Sequence, residues 1–170
     1  MSGLAVLLAQ TGAEVSGCDA FDTPRLRSLA RHGVKVCAGH SPDHLAGVDF
    51  AVATPAVPAD APELAAARAA GIPVQSRGET LAAFFNARRG VAVFGTHGKT
   101  TTTVFAVRLL RALGMDPGWC AGGEAGGLPD SAQAPAPGRL FVAEADESDG
   151  TLALYRPEIS VFTSADVDHL

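Results

Sequence analysis

The chain has 170 residues, of which 47% are hydrophobic, and its formal net charge at pH 7 is −5. The 13 lysines and arginines are scattered, so we expect no nucleic-acid partner, which would need a clustered basic surface. Three cysteines without a paired motif fit a reducing compartment better than a disulfide framework. No run reaches the roughly 18 apolar residues of a membrane span. No basic region precedes the apolar N-terminal stretch, so we predict a cytoplasmic protein without membrane insertion.

Strand-like runs alternate with Ala/Leu-rich helical runs in the first half of the chain. Helices are predicted over 2–11, 24–33, 61–71 and 78–89. Strands are predicted over 13–19, 34–38, 48–54 and 72–76. Pro24 is typical of a helix start and Gly33 of a helix end, so they delimit the second helix.

The alternation continues in the second half. The pattern predicts strands over 90–96, 139–146 and 158–164, a helix over 99–114, and a Gly/Pro-rich loop over 124–138. This regular bracketing favours an α/β fold with mainly parallel sheets covered on both faces. We place a domain boundary after Arg89, giving units at 1–89 and 90–170. We expect both units to be incomplete, because the first opens on a helix and the second stops just after a strand.

The stretch GTHGKT (95–100) stands between a predicted strand and a predicted helix. In this arrangement glycines let backbone N–H groups face a polyphosphate, a lysine meets the β- and γ-phosphates, and the next hydroxyl ligates Mg²⁺. Lys99 and Thr100 occupy the last two positions. The generic motif also asks for a glycine where Val93 stands, so it is only partly met. A Gly-rich turn with a solvent lysine is disfavoured by the flanking strand and helix. We assign nucleotide binding to Gly95, Thr96, His97, Gly98, Lys99, Thr100 and Thr101.

Four acidic residues follow the predicted strand 139–146 or lie at its end: Glu144, Asp146, Glu147 and Asp149. Ligands of open α/β sheets lie outside the carboxyl ends of the strands, where residues 95–100 are also expected. Carboxylate oxygens beside a triphosphate are the ligands that Mg²⁺ prefers. A solvated acidic turn remains the alternative.

The last predicted strand also ends in polar residues, in the stretch TSADVDHL (163–170). Asp166, Asp168 and His169 fall there. A lone histidine is more often structural than catalytic. A phosphate loop is followed along the chain by a strand that ends in acidic residues and by a strand that ends in acidic residues and a histidine. The three features in this order favour a functional site more strongly than any one of them alone.

The stretches GTHGKTTTT, EADESDG and DVDHL resemble the central ATPase domain of the Mur ligase family. Residues 1–19 resemble the helix and strand that follow that family's N-terminal Gly-rich loop, and residues 54–82 resemble its substrate-domain stretch before the ATPase. The resemblance covers essentially the whole chain. It implies a Rossmann-like UDP-sugar-binding domain at 1–89, without its first strand and Gly-rich loop, and the first part of a P-loop ATPase domain at 90–170.

The resemblance also implies a chemistry, ATP-driven amide formation. A carboxylate of UDP-N-acetylmuramate would attack the γ-phosphate of ATP, and the amine of L-alanine would displace phosphate from the resulting acyl phosphate. By the same resemblance Lys99 neutralises the γ-phosphate, Thr100 holds one Mg²⁺, and Glu144 and His169 hold a second. The expected catalytic residues are therefore Lys99, Glu144 and His169, and the expected metal ligands are Thr100, Glu144 and His169.

Several positions depart from the family pattern. Phe94 stands where a small residue is usual, Ser164 stands where an asparagine is usual, and the chain stops one residue before the usual aspartate. We expect the chain to be part of a longer enzyme and inactive by itself. Two alternatives stay open: a sister ligase that adds a preformed murein peptide, and a non-catalytic nucleotide-binding module.

Three further features are weaker indications of function. Cys37, His40 and His44 are spaced like metal ligands, but no fourth partner is nearby in the sequence, so we do not expect a zinc site. Asp19 could meet a nucleotide ribose, although a capping role is equally consistent with its position. Trp119 is interpreted as a packing residue.

Overall fold

The computed structural model describes residues 1–123, 126–146 and 150–165. The chain forms two compact units, Met1–Thr80 and a second unit from Leu81 onward. The division falls within the fourth helix, Arg77–Asn86, a few residues before the boundary predicted after Arg89. The roles assigned above to residues 1–89 and 90–170 stay predictions.

The elements follow the predicted alternation. The helices are α1 (Ser2–Gln10), α2 (Pro24–Leu29), α3 (Pro62–Ala69), α4 (Arg77–Asn86) and α5 (Lys99–Ala112), with 3₁₀ turns at Ala30–His32, Pro42–Leu45 and Leu152–Leu154. The strands are β1 (Ser16–Asp19), β2 (Lys35–Ala38), β3 (Ala51–Ala53), β4 (Val74–Ser76), β5 (Arg89–Phe94), β6 (Gly118–Cys120), β7 (Ala132–Gln133), β8 (Leu140–Glu144) and β9 (Ile159–Phe162). The prediction of a loop over 124–138 is wrong in one respect, because the strand β7 lies within this range and pairs with β6. None of the helices in the described ranges combines the length and the hydropathy that a membrane span requires.

The first unit contains two pairs of parallel strands, β1 with β2 and β3 with β4. A small apolar core lies under α1 and α2, formed by Val6, Leu26, Leu29 and Val34. Thr23 caps α2 by accepting a hydrogen bond at its hydroxyl from the backbone N–H of Leu26, at 3.1 Å. Parallel pairing of short strands across intervening helices is the arrangement that the sequence predicts for this half.

The second unit contains a five-stranded sheet in the order β7-β6-β8-β5-β9. β6 pairs with β8, β8 with β5 and β5 with β9, in each case parallel, and only the short β7 runs antiparallel to its neighbour β6 among the described strands. The prediction of an α/β fold with mainly parallel sheets is therefore confirmed. The carboxyl ends of β5, β6, β8 and β9 meet at one edge of this sheet.

Helices cover both faces of that sheet. On one face Val107 of α5 packs against a cluster formed by Val91, Val93, Trp119 and Val142. On the other face Phe84 of α4 contacts the ring of Phe141 edge-on, with the ring centroids 5.2 Å apart. Trp119 is fully buried, so its packing role is confirmed, and its indole N–H donates to the carbonyl of Asp130.

Thr103 is the buried polar side chain of α5. It is fully inaccessible to solvent, and its hydroxyl oxygen has no hydrogen-bond partner among the described residues. A buried hydroxyl without a partner loses its hydration and gains nothing in return, which costs about 1–3 kcal/mol. The side chain therefore weakens the helix that carries the candidate site.

We predict that Thr103→Val raises the free energy of unfolding by about 1 kcal/mol, because valine keeps the shape and removes the unpaired hydroxyl. Urea unfolding followed by circular dichroism measures the change. Thr101→Val, at an exposed position of the same helix, serves as the control and should change the stability by less than about 0.5 kcal/mol. A loss of stability in Thr103→Val would show that the hydroxyl is paired after all.

Candidate nucleotide-binding site

The stretch Gly95–Gly98 connects β5 directly to α5. β5 ends at Phe94, α5 begins at Lys99, and the first backbone hydrogen bond of the helix runs from the Thr102 N–H to the Gly98 carbonyl at 2.9 Å. The N–H groups of a first helical turn point out of the helix end, where the helix dipole is positive. The arrangement therefore presents donors and positive potential to an anion lying on the loop.

Two glycines give the loop its path. Gly95 has φ +127° and Gly98 has φ +77°, values that side-chain-bearing residues rarely adopt. A Cβ added to Gly95 would also lie 2.3 Å from the Thr163 Oγ1 and 2.7 Å from the Ser164 carbonyl oxygen. At Gly98 the nearest heavy atom would be 3.9 Å away. Gly95 is thus required by both conformation and space, and Gly98 by conformation alone.

The end of β9 holds the loop in place. The Thr163 hydroxyl lies 3.0 Å from the Phe94 carbonyl and 2.5 Å from the His97 carbonyl, and the Ser164 hydroxyl accepts a hydrogen bond from the His97 N–H at 3.0 Å. The sequence analysis noted Ser164 only as a departure from the family pattern and missed Thr163. Their position at the end of a parallel strand beside β5 was the available signal.

Lys99 folds back over the loop that precedes it. Its Nζ donates a hydrogen bond of 2.6 Å to the Gly95 carbonyl and lies 3.4 Å from the Thr96 carbonyl. The half-buried ammonium group is therefore held above the loop. A phosphate would offer the same ammonium a charged acceptor, and charge-assisted hydrogen bonds are roughly twice as strong as neutral ones.

Glu144 and Thr100 meet where β8 ends and α5 begins. The Thr100 Oγ1 lies 3.0 and 3.2 Å from the two carboxylate oxygens of Glu144. The backbone N–H of Gly122, which follows β6, donates to the Glu144 Oε2 at 2.7 Å. A hydroxyl and a carboxylate side by side supply the hard oxygen donors that Mg²⁺ requires. Sequence reasoning missed Gly122, because nothing local shows that β6 lies beside β8.

The structure thus places most of the predicted site residues at one edge of the sheet. The loop carries Gly95, Thr96, His97 and Gly98, the first turn of α5 carries Lys99, Thr100 and Thr101, and Glu144 ends β8. Asp146 follows β8 by two residues. Glu147, Asp149, Asp166, Asp168 and His169 lie outside the described residues. The binding and catalytic roles assigned to these residues stay predictions.

A parallel sheet with a glycine loop leading into a helix N-terminus is the arrangement that is typical of phosphate-binding α/β proteins. The model of the "Mur ligase family, catalytic domain" matches residues 1–89, just over half of the chain. The chain therefore belongs to the Mur ligase family. The matched residues end at the first residue of β5, so the family match and the glycine loop lie in consecutive parts of the sequence.

Curated relatives extend the similarity over the whole chain. The UDP-N-acetylmuramate–L-alanine ligases of Acidothermus cellulolyticus and Kineococcus radiotolerans are both 47% identical, over 170 and 173 residues. These alignments cover 100% of this chain but only 35% and 36% of the two relatives. The chain therefore spans about a third of the length of the proteins that it matches.

Solved structures show the same fold. The UDP-N-acetylmuramate-alanine ligase of Thermotoga maritima superimposes with a TM-score of 0.88 at 31% identity, covering 100% of this chain and 40% of that one. A UDP-N-acetylmuramate:L-alanyl-gamma-D-glutamyl-meso-diaminopimelate ligase from Neisseria meningitides gives a TM-score of 0.85 at 30% identity, covering 99% and 58%. Both ligases contain the architecture described here.

We predict that Gly95→Ala destabilises the protein more than Gly98→Ala. The left-handed backbone alone costs a side-chain-bearing residue about 1–2 kcal/mol, which is the loss expected for Gly98→Ala. Gly95→Ala adds a steric conflict with Thr163 and Ser164, so a larger loss is expected. Urea unfolding of the two variants measures the difference, and equal losses would contradict the close approach at Gly95.

Proposed function

We propose that this chain is part of an ATP-dependent ligase that joins L-alanine to the carboxylate of UDP-N-acetylmuramate in the cytoplasm, as a step of peptidoglycan precursor synthesis. The observation that carries the proposal is the meeting of Thr100 and Glu144 beside the Lys99 loop. Support for the substrates comes from two relatives named UDP-N-acetylmuramate–L-alanine ligase, which are 47% identical along the whole chain.

The loop suits the triphosphate of ATP. Gly95 and Gly98 have no side chains, so at these two positions a phosphate can approach the backbone N–H groups closely. Lys99 would donate to a phosphate oxygen, and such a charge-assisted hydrogen bond is stronger than its bond to the neutral Gly95 carbonyl. In this proposal Lys99 stabilises the negative charge that spreads over the transferred phosphoryl group.

The oxygen atoms at the end of β8 suit Mg²⁺. Thr100 and Glu144 present a hydroxyl and a carboxylate within 3.0–3.2 Å of each other, which is an all-oxygen donor set. We propose that Thr100 holds one Mg²⁺ and that Glu144 holds a second together with His169, which lies outside the described residues. Bound Mg²⁺ would supply neutralisation of phosphate charge. The Gly122 N–H fixes the orientation of the Glu144 carboxylate in advance.

The proposed reaction divides one difficult step into two. The carboxylate of UDP-N-acetylmuramate attacks the γ-phosphorus, the bond to the β-phosphate oxygen breaks, and ADP leaves. The amine of L-alanine then attacks the acyl carbon of the acyl phosphate, and inorganic phosphate leaves. Positioning and charge stabilisation account for most of the acceleration of such transfers. We assign UDP-sugar binding to residues 1–89, on the resemblance of residues 1–19 and 54–82 to the substrate domain of the family.

A murein peptide in place of L-alanine is the second candidate. The Neisseria structure, which has that kind of substrate in its name, resembles this chain almost as closely as the Thermotoga ligase does. L-alanine is favoured because eight curated relatives, from 42% to 47% identical, carry the name of the L-alanine ligase.

The substrate is tested with the full-length gene product. Phosphate release is followed in the presence of ATP, Mg²⁺ and UDP-N-acetylmuramate, with L-alanine or a murein peptide as the amine. We expect release that depends on L-alanine. Release with the peptide alone would replace the first candidate by the second, and absence of release with both amines would reduce the proposal to nucleotide binding.

We predict that Lys99→Ala lowers the rate of phosphate release in the full-length protein by at least 10²–10³-fold, as is typical for the loss of one preorganised charged group. The variant should unfold at a temperature close to that of the wild type, because Lys99 is not part of the apolar core. Lys35→Ala is the matched control: the chain's other lysine is exposed and contacts only Glu14 among the ion pairs of the described residues. Near-normal turnover by Lys99→Ala would overturn the role of this lysine.

A further inference from the structure

A second group of reactive side chains lies in the first unit, in residues that the proposed ligase chemistry does not use. Cys18 of β1, His44 of the 3₁₀ turn Pro42–Leu45 and Glu63 of α3 bring their sulfur, nitrogen and oxygen atoms within 4.8 Å of one another. The Nδ1 of His40 lies 3.4 Å from the Cys18 Sγ and 3.0 Å from the Glu63 Oε2. Three side chains thus bring their ligand atoms together, and His40 lies beside two of them.

We propose that Cys18, His40, His44 and Glu63 form a Zn²⁺-binding site. Thiolate, imidazole and carboxylate are the donors that Zn²⁺ binds, and four of them complete a tetrahedron. Mg²⁺ and Ca²⁺ prefer oxygen alone, so this donor set selects against them. One thiolate, one carboxylate and two neutral imidazoles also balance the charge of the ion.

The distances suit such a site after small adjustments. In a tetrahedron with bonds of 2.0–2.3 Å, neighbouring ligand atoms lie about 3.3–3.8 Å apart. Glu63 now accepts hydrogen bonds at 2.8 Å from the His44 Nδ1 and at 3.2 Å from the Cys18 Sγ. These contacts are shorter than the tetrahedral spacing by up to about half an ångström. Rotation of the side chains would move the ligand atoms apart by that distance.

The backbone places each ligand before a metal is bound. The Gly39 N–H donates to the Asp19 carbonyl at 2.8 Å, which joins the end of β2 to the end of β1 and positions His40 next to Cys18. The Ser41 hydroxyl accepts from the Asp43 N–H at 3.2 Å and so caps the turn that carries His44. A site built from several pre-positioned elements loses less conformational entropy when it binds an ion.

Zn²⁺ binding requires the Cys18 thiolate. The Cys18 Sγ donates to the Glu63 Oε1 at 3.2 Å, so the thiol proton points towards the carboxylate. Zn²⁺ would replace this proton, which leaves to solvent, and bind the thiolate.

The sequence analysis expected no zinc site from Cys37, His40 and His44, and the proposed site differs from that set in its cysteine. Cys37 is the neighbour of Cys18 in the pairing of β1 with β2, but unlike His40 it makes no hydrogen bond to Cys18 or Glu63 among those of the described residues. The fourth partner that seemed to be missing, Glu63, is supplied by α3 from 19 residues beyond His44. Because the site has four protein donors and no open position, it is of the structural kind.

The test uses the full-length protein after removal of metals with a chelator. We expect one Zn²⁺ per chain by competition with a chromophoric chelator, and an increase in the melting temperature on addition of Zn²⁺. Co²⁺ should give the visible bands of a tetrahedral ion and a thiolate-to-cobalt band in the near ultraviolet. An excess of Mg²⁺ should not displace Zn²⁺.

Single variants assign the ligands. Cys18→Ser and His44→Ala should each lower the Zn²⁺ affinity by at least about 100-fold, the upper part of the range for losing even an outer-shell partner. Cys37→Ser is the matched control and should bind Zn²⁺ like the wild type. Circular dichroism of the metal-free variants shows whether they are folded, and the cobalt spectrum of Glu63→Gln tests the same site without altering the thiol. The proposal fails if no stoichiometric Zn²⁺ is bound, if Cys18→Ser and His44→Ala bind it normally, or if Cys37→Ser alone loses it.

Discussion

The register of β5 between β8 and β9 is the constraint on which the candidate nucleotide site depends. Val93 pairs with Glu144 on one side, and Phe94 pairs with Phe162 on the other. This register puts the Glu144 carboxylate beside the start of α5 and brings Thr163 against the loop. A slip of one residue in β8 would send the carboxylate to the opposite face of the sheet. The apolar packing on both faces opposes such a slip, because Phe141 and Val142 would exchange faces and each would lose the side chains against which it packs.

The contacts of Lys99 and Thr100 hold the loop in its shape. The Gly95 carbonyl accepts a hydrogen bond from the ammonium group, and the Thr100 hydroxyl lies against the Glu144 carboxylate. Each contact orients a side chain that the proposed chemistry needs. Such preorganisation lowers the entropy that a site loses when it binds a ligand. The side chains that stabilise the loop are also the ones proposed to hold ATP and Mg²⁺.

Much of the second unit could be predicted because its signals are local. The strand 90–96 and the helix 99–114 correspond to β5 and α5, and the glycines at positions 95 and 98 have the positive φ values that a tight phosphate loop requires. Membership of the Mur ligase family could also be predicted, from short stretches of sequence around Lys99 and Glu144. The short strand β7 could not be predicted, because Gly and Pro dominate the composition around it and its partner strand is distant in sequence.

The sequence by itself determined the alternation of helices and strands, the position of the glycine loop and the residue types at its ends. Those features depend on the conformational preferences of single residues and on periodicity within one element. Tertiary structure alone decided which distant residues complete each group. Gly122, Thr163 and Ser164 join the loop because parallel strands bring their carboxyl ends to one edge, although 27 or more residues separate them from Gly95 in sequence. Cys18 rather than Cys37 lies beside the two histidines for the same reason. Strand pairing and helix packing decide which side chains are neighbours, and distance along the chain does not.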